Sequence, residues 1–463
     1  MKESTGLNRR QFLLGTGLVA GLTVGGCAPI VQRVAGRKRA EDITLPKRGG
    51  SEAHRYLHRA AFGPIPGEPR RFVAMGRDAY VNEQLAPTDD DDPALTFLLS
   101  RLDTMRVSSA ELRDLPEGHV MRQLRQAAIL RAVYSRWQVR ERMVDFWTNH
   151  FNIFAFKGDG AYRKNVDDLN VVRANALGKF PDMVRASARS SAMLTYLDNQ
   201  VNRKGVPNEN YARELLELHT LGVYGGYTQK DVSEVARCLT GWTIENRFLR
   251  PRDQFLFDPG AHDDGAKVVL GQRIPGGGGI KDGDRVIDIV TQHPSCAKFI
   301  STKLCRFFLG EQGAALQPRV EAAYVESKGD IQAMLHPILF SDAMTEGEPV
   351  LKRPYDYLIS SLRAVDAQTD AGDALQNHLD AMGQPLFGWP MPDGYPDRTA
   401  AWTGTLLARW NFAHQLVNNE IGGTRINTDG LAPYEPLVRG EGDGGTTLDE
   451  AAALLASPEF QWR

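Results

Sequence analysis

The chain has 463 residues, with 55 basic and 57 acidic side chains, a formal net charge of -2 and a hydrophobic fraction of 42%. That length supports one large core or two ordinary domains, and the composition is that of a globular protein, not a disordered or collagen-like one. Near-neutrality supplies no global attraction for nucleic acid or an anionic surface, so no nucleic-acid partner is expected.

The N-terminus is basic, with Lys2, Arg9 and Arg10, and Gln11 to Gln32 then carries no charge. A charged start, an apolar segment and small residues before a cleavage point make a secretory signal. Arg9-Arg10 followed by Gln11-Phe12-Leu13 resembles the twin-arginine export motif. Val24-Gly25-Gly26-Cys27 resembles a lipobox, in which Cys27 is acylated and becomes the new N-terminus. An ordinary cleaved signal with a chance cysteine is the alternative. So is a permanent spanning helix, which the glycines at 15, 17, 21, 25 and 26 weaken by about 1 kcal/mol each. The expectation is an exported protein, on the periplasmic side and lipid-anchored to the membrane. Residues 1–27 form the signal, 28–50 a basic tether, and 51–463 a single large α-helical domain.

That domain reads as mainly α, a large helical bundle-like body with a small β-hairpin insertion near 255–280. Helical spacing predicts a short helix over His54 to Phe62, then a long one over Met121 to His150. Further helices are predicted over 170–197, 211–221, 229–239, 285–290, 295–308, 331–339, 355–365 and 403–417. Phe255-Leu256-Phe257 and Val268-Val269-Leu270 flank a turn-like Asp258 to Gly265, which predicts one hairpin. Thr228 and Asp231 form a capping box ahead of the 229–239 helix. The acidic run Asp89 to Asp92 lacks the spaced ligands of a calcium loop, and Gly276–Gly279 and Gly440–Gly445 read as loose loops. Cys296 and Cys305 stand on opposite faces of one helix, so with Cys238 they read as buried thiols.

The most distinctive stretch begins at Asp198 and reads D-N-Q-V-N-R-K-G-V-P-N-E-N-Y-A-R-E-L-L-E-L-H-T-L-G-V, followed by G-Y-T-Q-K-D-V and A-R-C-L-T-G-W. Companion stretches are A-H-R-Y-L-H-R-A-A-F-G-P, F-W-T-N-H-F-N at 146–152, H-D-D-G-A-K from 262, H-P-S-C-A-K-F-I-S-T-K-L from 293, and G-Q-P-L-F with P-D-G-Y-P from 383. Together they closely resemble the bacterial family catalogued as domain of unknown function 1800, from Ser51 to the end. The resemblance implies a commonly exported protein of unassigned activity, and it transfers no catalytic residues.

Candidate residues therefore come from local chemistry. In the segment from Asn208, Tyr211, Leu215, Leu216, Leu218 and His219 share one arc, while Glu209, Asn210, Arg213, Glu214 and Glu217 share the other. Glu209, Arg213 and Glu217 form an ion-pair ladder, and Asn208 caps the helix. His219 and His150 both point inward. If they converge with Asp198 and Glu214, the cluster is a candidate catalytic site, with Asn199, Asn202, Asn208, Glu209, Asn210, Arg213 and His262 as binding residues. Histidine nitrogens with a carboxylate make a divalent metal a candidate cofactor. A core histidine satisfied by a hydrogen bond is the bland alternative for each imidazole. No nucleophile elbow, H-E-x-x-H, phosphate loop or haem motif occurs. Two readings follow. One is a metal-assisted hydrolase acting on an envelope or extracellular polymer; the other is a non-catalytic scaffold or binding lipoprotein with an envelope protein partner.

Overall fold

Two apolar clusters organise the helices in the computed structural model, which describes residues 50–88, 91–247, 253–427 and 448–463. The signal, lipobox and tether, with Arg9, Arg10 and Cys27, lie outside the described residues, as do Asp89, Asp90 and the Gly440–Gly445 loop. The larger cluster runs from Ala53 to Met344 in sequence, and the smaller gathers residues such as Phe62, Leu130, Tyr357, Phe412 and Leu455. Among the described residues no helix is long and apolar enough to cross a membrane.

The fold is mainly α with small hairpins, and its elements start where local chemistry dictates. Helix α1 (Glu52–Ala60) is capped by Ser51 and buries Tyr56 and Leu57. The predicted single helix over Met121 to His150 is instead two, α2 (Glu117–Tyr134) and α3 (Gln138–His150). Ser135 causes the break. Its hydroxyl donates to Asp91 (2.7 Å) and accepts the Trp137 amide (3.1 Å). The Gln138 side chain donates to the Ala132 and Ser135 carbonyls at 3.1 and 2.8 Å, occupying acceptors that a continuous helix would use itself.

After α4 (Gly160–Asp167) the backbone widens into a π-helical turn, Asp168–Arg173. A second such turn, Leu215–Thr220, follows the short α5 (Asn210–Glu214). The predicted capping box is present at the start of α6 (Gln229–Cys238), with both reciprocal Thr228 and Asp231 bonds made.

The predicted hairpin is corrected to two. Strand β1 (Trp242–Ile244) pairs antiparallel with β2 (Phe255–Phe257), in the register Trp242 with Phe257. Strand β3 (Lys267–Val269) pairs with β4 (Gln272–Ile274) across the two-residue turn Leu270-Gly271, both at positive φ (48° and 77°). That turn geometry closes a tight hairpin, so β3 takes its sequence neighbour and β2 is left for β1. A third small pair joins Gln368–Thr369 to Thr424–Arg425. Helices α7 (Lys281–Thr291), α8 (Pro294–Leu309) and α9 (Pro354–Ala364) complete the frame used below. Cys238, Cys296 and Cys305 are buried free thiols.

Candidate functional site

The two faces of α3 carry different chemistry. Met143, Phe146, Trp147 and His150 point into the larger apolar cluster. Glu141, Asp145, Thr148 and Asn149, with Asn152 just beyond the helix end, line a cavity of about 50 Å³. Spacings of four, three, one and three residues put that set on one stripe.

The opposite walls come from distant segments. Lys164 of α4, then Asp168 and Arg173 at the two ends of the first π-helical turn, face the stripe, and Tyr355 of α9 closes one side. The roof is Gln384, Leu386, Phe387 and Tyr395. Thus F-W-T-N-H-F-N and the G-Q-P-L-F and P-D-G-Y-P segments form floor and roof of one cavity. Asn149 ties them together: its amide donates to the Tyr395 carbonyl (3.0 Å) and its carbonyl accepts the Tyr395 amide (2.7 Å). Asn152 donates to the Trp389 and Met391 carbonyls at 3.0 and 2.6 Å. Gly394 has φ +76°, and a Cβ there would stand 2.3 Å from the Asn149 carbonyl oxygen, so only glycine lets the roof come this close.

The cavity is charged, and its charges are in contact. Arg173 donates to both Glu141 oxygens at 3.0 and 2.8 Å and to Asp168 at 3.2 Å. Lys164, fully buried, donates to Asp167 at 2.6 Å. Asp145 pairs with Arg353, which also approaches Asp356 at 3.7 Å, and Asp356 is paired with Arg142. Burial raises the Asp145 carboxyl above the ordinary aspartate range; Arg353 opposes the shift and Asp356 adds to it. Burial also opposes ionisation of Glu141, but Arg173, then Arg140 and Arg131, hold it below the ordinary range. Two carboxyls one helical turn apart are thus pushed in opposite directions, as in acid–base sites.

Several polar atoms here are unspent. One Asp145 oxygen, one Asp168 oxygen, the Thr148 hydroxyl and the Gln384 amide nitrogen have no hydrogen bond among the described residues. Phe387 adds backbone strain: a buried aromatic residue at φ 58° lies outside the region that bulky side chains ordinarily occupy. A π-helical turn, a strained roof residue and a perturbed carboxyl are each enriched at functional sites, and here they share one cavity.

The residues singled out from sequence fall elsewhere. His150 and His219 are neighbours, with ring centroids 6.1 Å apart, and His150 Nε2 donates to the His219 carbonyl (3.0 Å). Phe146, Trp147, Phe180 and Phe299 surround His150, Phe151 lies against both rings and Tyr211 against His219; among the described residues both His219 ring nitrogens lack partners. Burial, with Lys303 second, pushes His219 down to about 3, and burial also depresses His150, so both rings are neutral at pH 7. Asp198 sits at φ 60° and pairs with Lys157 (2.8 Å).

Glu214 is half-buried, and burial, Glu217 and Asp393 raise its carboxyl above the ordinary range. Asn199 donates to the Trp242 carbonyl (3.0 Å), Asn202 donates to Ala236 (2.9 Å) and accepts the Asn208 amide (2.9 Å), and Asn208 accepts the Asn210 amide (2.9 Å). Glu209 binds Arg213, Gln229 and Ser233, whereas Glu217 takes Tyr227 in place of the expected ladder contact. His262 does not join His150 and His219. It bonds the Thr240 carbonyl (2.7 Å) and faces Asp282 (3.3 Å), which also takes Lys267 (2.5 Å). Among the described residues no group of three or more His, Cys, Asp or Glu side chains is arranged to hold a metal ion.

A stripe of polar residues at helical spacing, Glu141, Asp145, Thr148, Asn149 and Asn152, is the sequence signal that marks the cavity. It is hidden because such a stripe ordinarily faces solvent. A family model described as a protein of unknown function, DUF1800, matches residues 55–462. No curated protein and no solved structure matches the chain.

Proposed function

Because the chain belongs to the DUF1800 family, whose activity has no assignment, we propose from the cavity itself that it is an envelope hydrolase working by general acid–base catalysis. The observation that carries this is Asp145: a carboxyl raised by burial, with one oxygen unspent, facing a cavity that also holds Asp168. In the proposed step Asp145 donates its proton to the leaving group as the scissile bond breaks. A water oxygen forms the new bond and passes a proton to the unspent oxygen of Asp168. Arg173 and Lys164 stabilise negative charge that develops in the cavity, where few waters compete. Positioned acid–base catalysis of this kind contributes roughly 10²–10⁴-fold. The N-terminal reading supports the location: Arg9-Arg10 for twin-arginine export and Cys27 for a lipid anchor on the periplasmic side of the membrane, facing an envelope or extracellular polymer.

The test is hydrolysis of isolated cell-wall and extracellular polymers by the wild type and by Asp145→Asn with a matched melting temperature. The reading expects a product that disappears in the variant, and equal turnover by both proteins would reject it. Cys27→Ser should release the protein from membranes or leave its precursor uncleaved; unchanged fractionation removes the anchor. One observation favours the scaffold alternative. Glu141, Asp145 and Asp168 each already hold an arginine, as in a purely structural ion network.

A further inference from the structure

Resting on the acid–base reading, we propose that the cavity takes a carbohydrate: hydroxyls on one edge of a sugar enter between Asp145, Asp168, Thr148 and Gln384 while its ring lies against Trp389. The unspent hydrogen-bonding atoms define the ligand class. Asp168 offers an acceptor. Gln384 Nε2 is a donor, the Thr148 hydroxyl is both, and Lys164 has ammonium protons beyond the one given to Asp167. A purely anionic group would leave the acceptors unmet, and a purely cationic one would meet Lys164 and Arg173. Hydroxyls both donate and accept, so neighbouring hydroxyls match this mixed set.

Size fixes how far the ligand enters. A cavity of about 50 Å³ admits a few polar atoms but not a whole sugar ring. The ring must stay outside, and Trp389, whose carbonyl is held by the lining residue Asn152, is the aromatic side chain near the cavity that is partly exposed. Trp389, partly exposed, packs against Tyr395 with ring centroids 5.0 Å apart, and Tyr395 against Trp402 at 6.0 Å. The Trp389 indole donates to Asp393 (3.0 Å) and the Trp402 indole to the Pro396 carbonyl (2.9 Å), so the polar edges are spent and the rings are fixed. Tyr395 and Trp402 are buried and hold Trp389 in place, and one fixed, partly exposed aromatic face near a polar cavity suits a ligand with one apolar face and hydroxyl edges.

The test is titration of the whole protein with maltotetraose, cellotetraose, xylotetraose, mannotetraose and the tetramer of N-acetylglucosamine, with tetra-alanine and inorganic phosphate as controls. Binding is read by tryptophan fluorescence and by the side-chain NMR signals of Trp389 and Gln384. At least one sugar should bind and shift both signals in the unmodified protein, while the controls do not. Thr148→Val, Gln384→Leu and Trp389→Ala should each weaken that sugar by roughly tenfold, the effect of losing one good contact. Asp145→Asn should lose turnover. Failure of every sugar to shift the two signals, or equal affinity in all variants, overturns the proposal. The two readings fail separately. Asp145-dependent cleavage of a peptide or ester polymer would remove the carbohydrate and leave the acid–base site; sugar cleavage indifferent to Asp145→Asn would do the reverse.

Discussion

The two faces of α3 both desolvate titratable groups, to opposite ends. His150, with His219 beside it, lies in an aromatic core where burial removes the charge from both imidazoles. Asp145 lies on the other face, where burial raises a carboxyl that still has an open oxygen and a cavity in front of it. A displaced pKa by itself marks only desolvation. What separates the faces is space and unspent hydrogen-bonding capacity, and only the polar face has both.

The largest expected effect strikes the polar face. Arg173→Met strips the partner from Asp168 and leaves Glu141 only Arg140 at 3.7 Å; these carboxylate side chains are 3% and 2% exposed. Unpaired buried carboxylates of this kind cost about 3–5 kcal/mol, measurable by urea unfolding. A loss below about 1 kcal/mol would show that water reaches these groups freely and that the cavity is no special environment.

The aromatic face is tested by pH. Folded, His219 refuses a proton that the unfolded chain takes up below its ordinary value of 6.5, and its folded value is about 3. The unfolded state therefore binds more protons across that window, and stability falls as pH drops through it. His219→Leu should lose about 2 kcal/mol less than the wild type between pH 7 and pH 5. Parallel losses would mean that His219 is protonated in the folded core.

Elements whose cause is local were legible in the sequence, and those that depend on distant partners were not. The 229–239 helix was visible because Thr228 and Asp231 fix its start within four residues. The end of α2 was not, because Ser135 leaves the helix to bind Asp91, on a segment whose position only the fold determines. The hairpin pairing is hidden for a related reason: Leu270-Gly271 is not an ordinary turn dipeptide, so the sequence gives β4 no hairpin signal and makes β2 look like the partner of β3. For the site, His150 and His219 were correctly read as inward, and they do adjoin. The polar stripe from Glu141 to Asn152 does not announce a cavity in the sequence because its partners, Lys164, Arg173, Tyr355 and the 384–395 roof, lie far away in the chain.

The smallest expected effect sharpens that contrast between local and distant causes. Thr228→Ala removes a cap that serves only α6, costing about 1 kcal/mol and leaving the cavity unchanged. Altered NMR signals at Gln384 or Trp389 in that variant would mean that the cavity depends on elements far from its walls.

The central claim, that the polar face of α3 holds a proton-donating carboxyl, is tested most directly by titrating Asp145 itself. The carboxyl carbon of ¹³C-aspartate-labelled protein is followed by NMR, with Asp145→Asn assigning the signal. The midpoint should lie above the ordinary aspartate value of 3.8. Because the folded chain then keeps a proton that the unfolded chain releases, this group's contribution to stability should decline as pH rises through that window. A midpoint at or below 3.8 would make Asp145 a permanently ionised partner of Arg353 and contradict its role as the acid.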